Sequence, residues 1–200
     1  MKVGALLTRY IRGGYSLLFC RPPRGCRTRG AGTRILRPRN VLAPRHIDIG
    51  AKTLILGHSW IEPIPSYCDQ TFSPTITIGN GVYIGRHVYI TAIDRVMIGD
   101  GCVLSEHVYI ADSAHGFDPN GGPIMYQPLS SKGPVVIEAN TFIGYRAVIA
   151  PGVTLGRHCV VGAQSVVTRS FPAYSMVAGA PARLIKTFIP ELGRWVEQSP

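Results

Sequence analysis

From residue 78 to residue 168 an aliphatic side chain recurs every sixth position, followed by glycine or by a small or acidic residue. The pairs are Ile78-Gly79, Ile84-Gly85 and Ile90-Thr91, then, after a two-residue insertion, Ile98-Gly99, Leu104-Ser105 and Ile110-Ala111. After a gap the phase returns as Ile137-Glu138, Ile143-Gly144, Ile149-Ala150, Leu155-Gly156, Val161-Gly162 and Val167-Thr168. Such a period is too short for a helical hairpin and too regular for a sandwich, whose strands alternate with period two and vary in length. A short strand plus a turn, repeated, satisfies it. If three units close one triangular coil, a coil takes 18 residues, the length of 49–66, 78–95, 98–115, 137–154 and 155–172. Ile49-Gly50, Ile55 and Ile61 extend the pattern upstream, and Ile35, Val41 and Ile47 add a rung in a shifted phase. The aliphatic at position i and the small or β-branched residue at i+4 (Val82, Cys102, Thr141, Ala147, Cys159, Ser165) are expected to point inward and stack in columns. Glycine at i+1 suits a corner where a side chain would crowd or φ is unusual.

Two departures interrupt the period. Residues 116–134, from Gly116-Phe117-Asp118-Pro119 to Lys132-Gly133-Pro134, hold no repeat residues, and a long irregular excursion from a compact solenoid is usually either functional or disordered. At the other end Phe171-Pro172 breaks the rungs, and a short helix near Glu191 to Val196 is expected to cap the last coil. The chain thus divides into a basic segment over 1–34, a coil domain over 35–187 carrying the loop 116–134, and a tail or helix over 188–200.

The net charge of +10 is unevenly spread. Of the 21 Lys and Arg, eleven fall in residues 1–45, which hold none of the 11 Asp and Glu; the remaining ten basic residues face eleven acidic ones. The body is therefore near neutral, which argues against nucleic acid as a partner. The N-terminal strip with Leu6, Leu7, Tyr10, Ile11, Leu17 and Leu18 reads as a segment resting on anionic lipid, as a transit-type leader, or as a cover over the first coil; packing combined with peripheral membrane contact through residues 1–45 is the preferred reading. Its longest apolar run, Ser16 to Cys20, is too short to span a bilayer. The five cysteines are odd in number and lack CxxC spacing, so free thiols in a reducing compartment are expected, with the protein cytoplasmic or at the inner face of the membrane.

Four stretches carry a resemblance. Ala111-Asp112-Ser113-Ala114-His115-Gly116-Phe117-Asp118, Ile143 to Gly156 (with Ala150-Pro151-Gly152-Val153), Val161-Gly162-Ala163-Gln164-Ser165 and Ala178-Gly179-Ala180-Pro181-Ala182-Arg183, in that order, resemble the hexapeptide-repeat acyltransferases over roughly 35 to 187. The chain is most similar to sugar O-acetyltransferases of the galactoside, maltose and lipopolysaccharide type. That resemblance implies an all-β, left-handed parallel β-helix, an exception to the usual crossover handedness. It also implies a homotrimer with sites between subunits, acetyl-CoA as co-substrate and a sugar or glycan acceptor.

The chemistry follows. Acetyl transfer from a thioester to a hydroxyl chiefly needs a base as the oxygen attacks, and histidine suits that task. His115, at the end of a coil just before the loop, is the position the resemblance marks as catalytic. Asp112, Glu106, Asp118 or a backbone carbonyl is expected to orient its ring, and Asp112 and Asp118 to meet the acceptor. By positional match Phe142 and Tyr145 line the pantetheine path, Ala163 offers backbone hydrogen bonds, and Thr168, Arg169, Arg183 and Lys186 lie near the adenine and phosphates. His87 and His107, both at i+3 and 20 residues apart, should stack on an outer edge in one column with Arg146. A zinc hydratase of the γ-carbonic-anhydrase type, built on the same coil, is the alternative that column raises, and a non-catalytic scaffold is a second. No metal is expected, since a third histidine at that family's spacing is not apparent.

Overall fold

Strands in three faces, each short and each paired in parallel with the strand one coil away, make up a triangular β-helix in the computed structural model, which describes residues 25–197. The first face holds Thr28–Arg29, Ile47–Ile49, Thr75–Ile78, Arg95–Ile98, Val135–Ile137 and Thr154–Leu155. The second begins with Arg34–Ile35, Leu54–Ile55, Tyr83–Ile84, Val103–Leu104, Phe142–Ile143 and Val160–Val161. The third holds Asn40–Val41, Trp60–Pro63, Tyr89–Ala92, Tyr109–Ala111, Val148–Ile149 and Val166–Val167. In the bare coils the register advances by 18, as in Phe142 opposite Val160 and Val148 opposite Val166.

The six-residue rule is visible in the core. The twelve aliphatics at position i, from Ile78 to Val167, are each at most 2% exposed. Residues at i+4, including Val82, Cys102, Thr141, Ala147 and Ser165, are buried beside them. A fully buried side chain of this kind stabilises by about 1.5–3 kcal/mol, and stacking them in columns makes each coil depend on its neighbours. Crowding and unusual φ, both anticipated at i+1, separate onto two positions. A Cβ on Gly85 would lie 2.7 Å from the Ser105 carbonyl carbon, so glycine there admits the next coil. Left-handed backbone belongs to i+3, where His58, His87, His107, Asn140, Arg146, His158 and Gln164 all have φ near +60°. Position i+3 therefore projects outward at every such turn.

The N-terminal and C-terminal boundaries differ from expectation. Thr28–Arg29 and Arg34–Ile35 already pair with the second coil, so the solenoid starts before residue 35. The readings of residues 1–24 lie outside the described residues. The helix expected near Glu191 to Val196 is instead a strand, Arg194–Glu197, joined through a single 3-10 turn at Pro190–Leu192 to the strand Ala182–Ile189. Both extend the second face, Ala182–Ile189 antiparallel to Ser175–Gly179 and Arg194–Glu197 antiparallel to Ala182–Ile189. Gly193, at φ +61°, closes the turn, and Phe188 packs edge-on against Trp195 across the strands at 5.5 Å. That aromatic pair holds six residues that are too few to nucleate a helix of their own.

Two insertions leave the same corner, between the third face and the first. Between Trp60–Pro63 and Thr75–Ile78 lies a hairpin of Ser66–Tyr67 and Gln70–Thr71; between Tyr109–Ala111 and Val135–Ile137 lies a longer one of Ser113–His115 and Leu129–Ser131. The register jumps from 18 to 29 and 39 across them. The loop expected over 116–134 is thus the outer part of an antiparallel hairpin, not wholly irregular chain. Among the described residues no helix is long and apolar enough to cross a membrane.

Candidate active site

The two hairpins meet over the outer surface of the third face. The Gln70 side-chain amide donates to the Leu129 carbonyl at 3.0 Å and accepts from the Leu129 N–H at 2.7 Å, so it takes the place of a strand for one residue of the longer hairpin. Beneath this junction is a cavity of about 470 Å³. Its floor is the outward side of the third face, with Tyr89, Thr91, Tyr109, Ala111, Val148 and Ala150; its wall is Tyr67, Ser113, Ala114, His115 and Leu129. An apolar cavity with a few polar groups converging on it has the character of a small-molecule site.

His115 ends the strand Ser113–His115, opposite Leu129, and its ring is exposed to the cavity. Its Nδ1 lies 3.4 Å from the Tyr67 hydroxyl, and the two rings meet edge-on at 5.3 Å. Tyr67 donates its proton to the Met125 carbonyl of the longer hairpin. Desolvation, then the neighbouring Cys68 and Tyr126, pushes the Tyr67 phenol above its usual value, which keeps it protonated.

The floor is an aromatic column. Trp60 stacks on Tyr89 at 5.8 Å and Tyr89 on Tyr109 at 5.4 Å, Tyr109 being 41% exposed. Glu62 accepts from the Trp60 indole at 2.8 Å and from the Tyr89 hydroxyl at 2.9 Å. Burial, reinforced by that hydrogen bond, drives the Tyr89 phenol far above its ordinary range. Thr91 is buried, and its hydroxyl oxygen has no hydrogen-bond partner. A buried hydroxyl without a partner costs free energy unless something fills it.

Asp112 does not do what was expected of it. Its carboxylate is fully buried and accepts from the backbone N–H groups of Ile93 at 2.9 Å and Asp94 at 2.8 Å, in the turn one coil earlier at the same corner. Desolvation raises its pKa against the lowering effect of those donors. It braces the corner and does not line the cavity. Asp118 lies further out on the loop, where its Oδ1 caps the Asn120 N–H and its backbone is held by the buried Gln127. Glu106 pairs with Arg86 at 3.4 Å across neighbouring coils.

The residues expected at the co-substrate fall into three places. Phe142 and Tyr145, 43% and 37% exposed, and the exposed Ala163 follow the second face and its turns into the third, where the Gln164 N–H donates to the Tyr145 carbonyl at 2.7 Å. Arg183 and Lys186 stand on the strand Ala182–Ile189 that extends the second face, with Lys186 bridged to Glu197 at 3.0 Å. Thr168 and Arg169 follow the third face at a different corner, and the Arg169 guanidinium covers the Phe171 ring.

The histidine column is longer than expected. His58, His87 and His107 stack in parallel, with ring centroids 4.9 and 4.7 Å apart, and His107 then meets Tyr145 edge-on at 5.6 Å. His58 completes a set of three that the 20-residue spacing had missed, because the coil between His58 and His87 carries the shorter hairpin. Parallel rings face one another and not a common centre: among the described residues no three His, Cys, Asp or Glu side chains converge as a metal site. The four cysteines among the described residues are free thiols.

A three-faced parallel coil with hairpins at one corner and a histidine at the hairpin mouth is the hexapeptide-repeat class of β-helix. Residues 134–169 match the family described as Bacterial transferase hexapeptide (six repeats). The chain carries this family's hexapeptide repeat over those residues, and its coil is the left-handed parallel β-helix. Over 142 residues, 71% of this chain and 42% of the relative, it is 36% identical to a Mycobacterium tuberculosis protein named "Probable acetyltransferase Rv3034c". It is 32% identical to the galactoside O-acetyltransferase of Escherichia coli over 134 residues, 64% of this chain and 61% of that one. The chain therefore spans less than two thirds of these relatives' length. Among solved structures, AntD, an N-acyltransferase from Bacillus cereus in complex with dTDP and 3-hydroxybutyryl-CoA, has the same fold, with a TM-score of 0.68 at 21% identity over 84% of this chain and 86% of AntD.

The sequence did not mark Tyr67, Thr91, Glu62 or the Tyr89–Tyr109 column as part of a site. Tyr67 alone had a signal there: residues 67–77 break the period just as 116–134 do.

Proposed function

We propose that the protein transfers an acetyl group from acetyl-CoA to a hydroxyl of a sugar or glycan precursor, with His115 as general base. The observation that carries this reading is the position of His115 on a hairpin wall, exposed to a cavity whose floor offers an aromatic ring at Tyr109. A sugar ring has an apolar face for Tyr109 and hydroxyls for His115. In the reaction the acceptor O–H gives its proton to the imidazole as its oxygen attacks the thioester carbonyl. The tetrahedral intermediate then expels the CoA sulfur, which takes the proton from the imidazolium, leaving an acetyl ester and CoA thiol.

The names of the relatives support acyl transfer, and both O- and N-acyl transfer occur among them. We assign the co-substrate to the exposed surface that carries Phe142, Tyr145 and Ala163, with Arg183 and Lys186 toward the phosphates. Lys186 would exchange its bridge to Glu197 for a phosphate oxygen. The exposure of His115, Tyr109, Phe142 and Tyr145 suits a homotrimer in which a neighbouring chain closes each cleft.

The test is a transfer assay with acetyl-CoA against a panel of sugars and amino sugars, with a thermal-shift titration of CoA alongside. Acetyl ester formation on at least one sugar, with stabilisation that grows with CoA concentration, is the expected result. Acetylation of amino groups only would redirect the acceptor assignment, and absence of any CoA-dependent stabilisation would overturn the reading.

A further inference from the structure

We infer that Tyr67 is a positioning residue that holds the His115 ring as the tautomer with its proton on Nδ1, leaving the Nε2 lone pair to act as the base; this rests on the function proposed above. A phenol has one proton to give. Tyr67 gives it to the Met125 carbonyl, so toward His115, 3.4 Å away at Nδ1, its oxygen can only accept. An acceptor at Nδ1 requires an N–H there, and a neutral imidazole carries its single N–H on one nitrogen only. Which nitrogen is protonated is set by the hydrogen bond the ring makes, and here that bond assigns the free lone pair to Nε2.

The carboxylates that sequence offered for this task are engaged elsewhere: Asp112 with the N–H groups of Ile93 and Asp94, Asp118 with Asn120, Glu106 with Arg86. Tyr67 comes from the shorter hairpin and His115 from the longer, and the Gln70–Leu129 pair fixes one against the other. When Nε2 takes the acceptor's proton the imidazolium has an N–H at both nitrogens, and the Nδ1–H bond to Tyr67 persists unchanged. The ring therefore need not turn before it returns the proton to the departing sulfur.

The experiment compares ¹⁵N-histidine-labelled wild type, Tyr67→Phe and His115→Asn by long-range ¹H–¹⁵N spectra at about pH 9, above the ordinary histidine range, with steady-state kinetics in parallel. The signal lost in His115→Asn identifies residue 115, and in the wild type it should show a protonated Nδ1 and a bare Nε2. In Tyr67→Phe, which keeps the ring contact, that signal should move toward the opposite tautomer. Turnover should fall about tenfold, the factor that one neutral hydrogen bond can supply, with the KM for acetyl-CoA and the melting temperature unchanged. A wild-type ring protonated at Nε2 would overturn the inference, as would a Tyr67→Phe protein whose tautomer and turnover match the wild type. The tautomer is read without turnover, so a failure of His115 as the base, seen as full activity in His115→Asn, is distinguishable from a failure of the tautomer assignment.

Discussion

Asp112 and His115 are three residues apart, yet they belong to different machines. Asp112 ends the last regular stretch of a coil, and its buried carboxylate ties the backbone of one coil to the next. His115 stands on the hairpin that leaves that coil, exposed, and held by one phenol from a second hairpin. The same contrast separates the coils from the two insertions as a whole. In the coils every sixth residue is buried in a column, so the sequence has little freedom and the surface little shape. At the insertions the column is interrupted on one corner only, which leaves the core intact and builds walls over a flat face. A solenoid gains a concave site by departing from its own repeat, and the chemistry proposed for this chain is at the departure.

That contrast can be broken by substitution. The largest effect is expected at His115: alanine there should lower turnover by roughly 10² to 10⁴, the range for a positioned acid–base group, with an unchanged melting temperature because the side chain is exposed. Asp112→Ala should do the opposite. It leaves one buried and one part-buried N–H group without their acceptor at about 1–3 kcal/mol each, so chemical denaturation should show a loss of about 2 kcal/mol or more, while turnover per folded molecule stays near wild type. A large fall in turnover without loss of stability would return Asp112 to the site.

Smaller effects sharpen the outer parts of the account. Replacing Arg183 and Lys186 together should raise the KM for acetyl-CoA tenfold or more, since even one hydrogen bond to a charged group contributes about 1.5–3 kcal/mol and 1.4 kcal/mol is tenfold. Turnover should change little, because such contacts exist equally before and during the transition state. An unaltered KM removes both residues from the co-substrate. The histidine column should register in stability against pH. Desolvation first, then His107 and His58, lower the His87 pKa, so the unfolded chain binds the proton more readily. Stability is then full above the ordinary histidine value near 6.5 and falls as pH drops through it toward the depressed folded value. His87→Asn, which tolerates the left-handed turn, should flatten that fall; an identical pH dependence would show that the stacking has no energetic consequence.

The coils were legible because burial writes itself into sequence at a fixed interval: Ile84, Leu104, Ile143 and Val161 lie in register down one face as their spacing requires. The placement of His115 at a departure from the coil was legible too, since it falls where the period stops. Its partner was not, because Tyr67 is 48 residues away and meets it only when two insertions fold from the same corner. Asp112 misled for a related reason: a carboxylate beside a candidate base looks alike in sequence whether it faces a cavity or the backbone N–H groups of the coil before. Thr91 gave no signal at all, being one more β-branched residue in a strand until the cavity above it is seen. The C-terminal strand depended on Phe188 and Trp195 facing each other across a turn, which a helical reading of six residues does not anticipate.

The central claim is that the hairpin residue His115 carries the chemistry and the coils only hold it. Its most direct test is the pH–rate profile of acetyl transfer in the wild type and in His115→Asn, which keeps hydrogen bonding but cannot take up the proton. Wild-type turnover should rise with pH through a single ionisation, as the neutral imidazole forms, and His115→Asn should show a rate lower by two orders of magnitude or more with no such rise, on a protein of unchanged melting temperature. Near-normal turnover in His115→Asn with the same pH-dependent rise would contradict the account and place the base elsewhere.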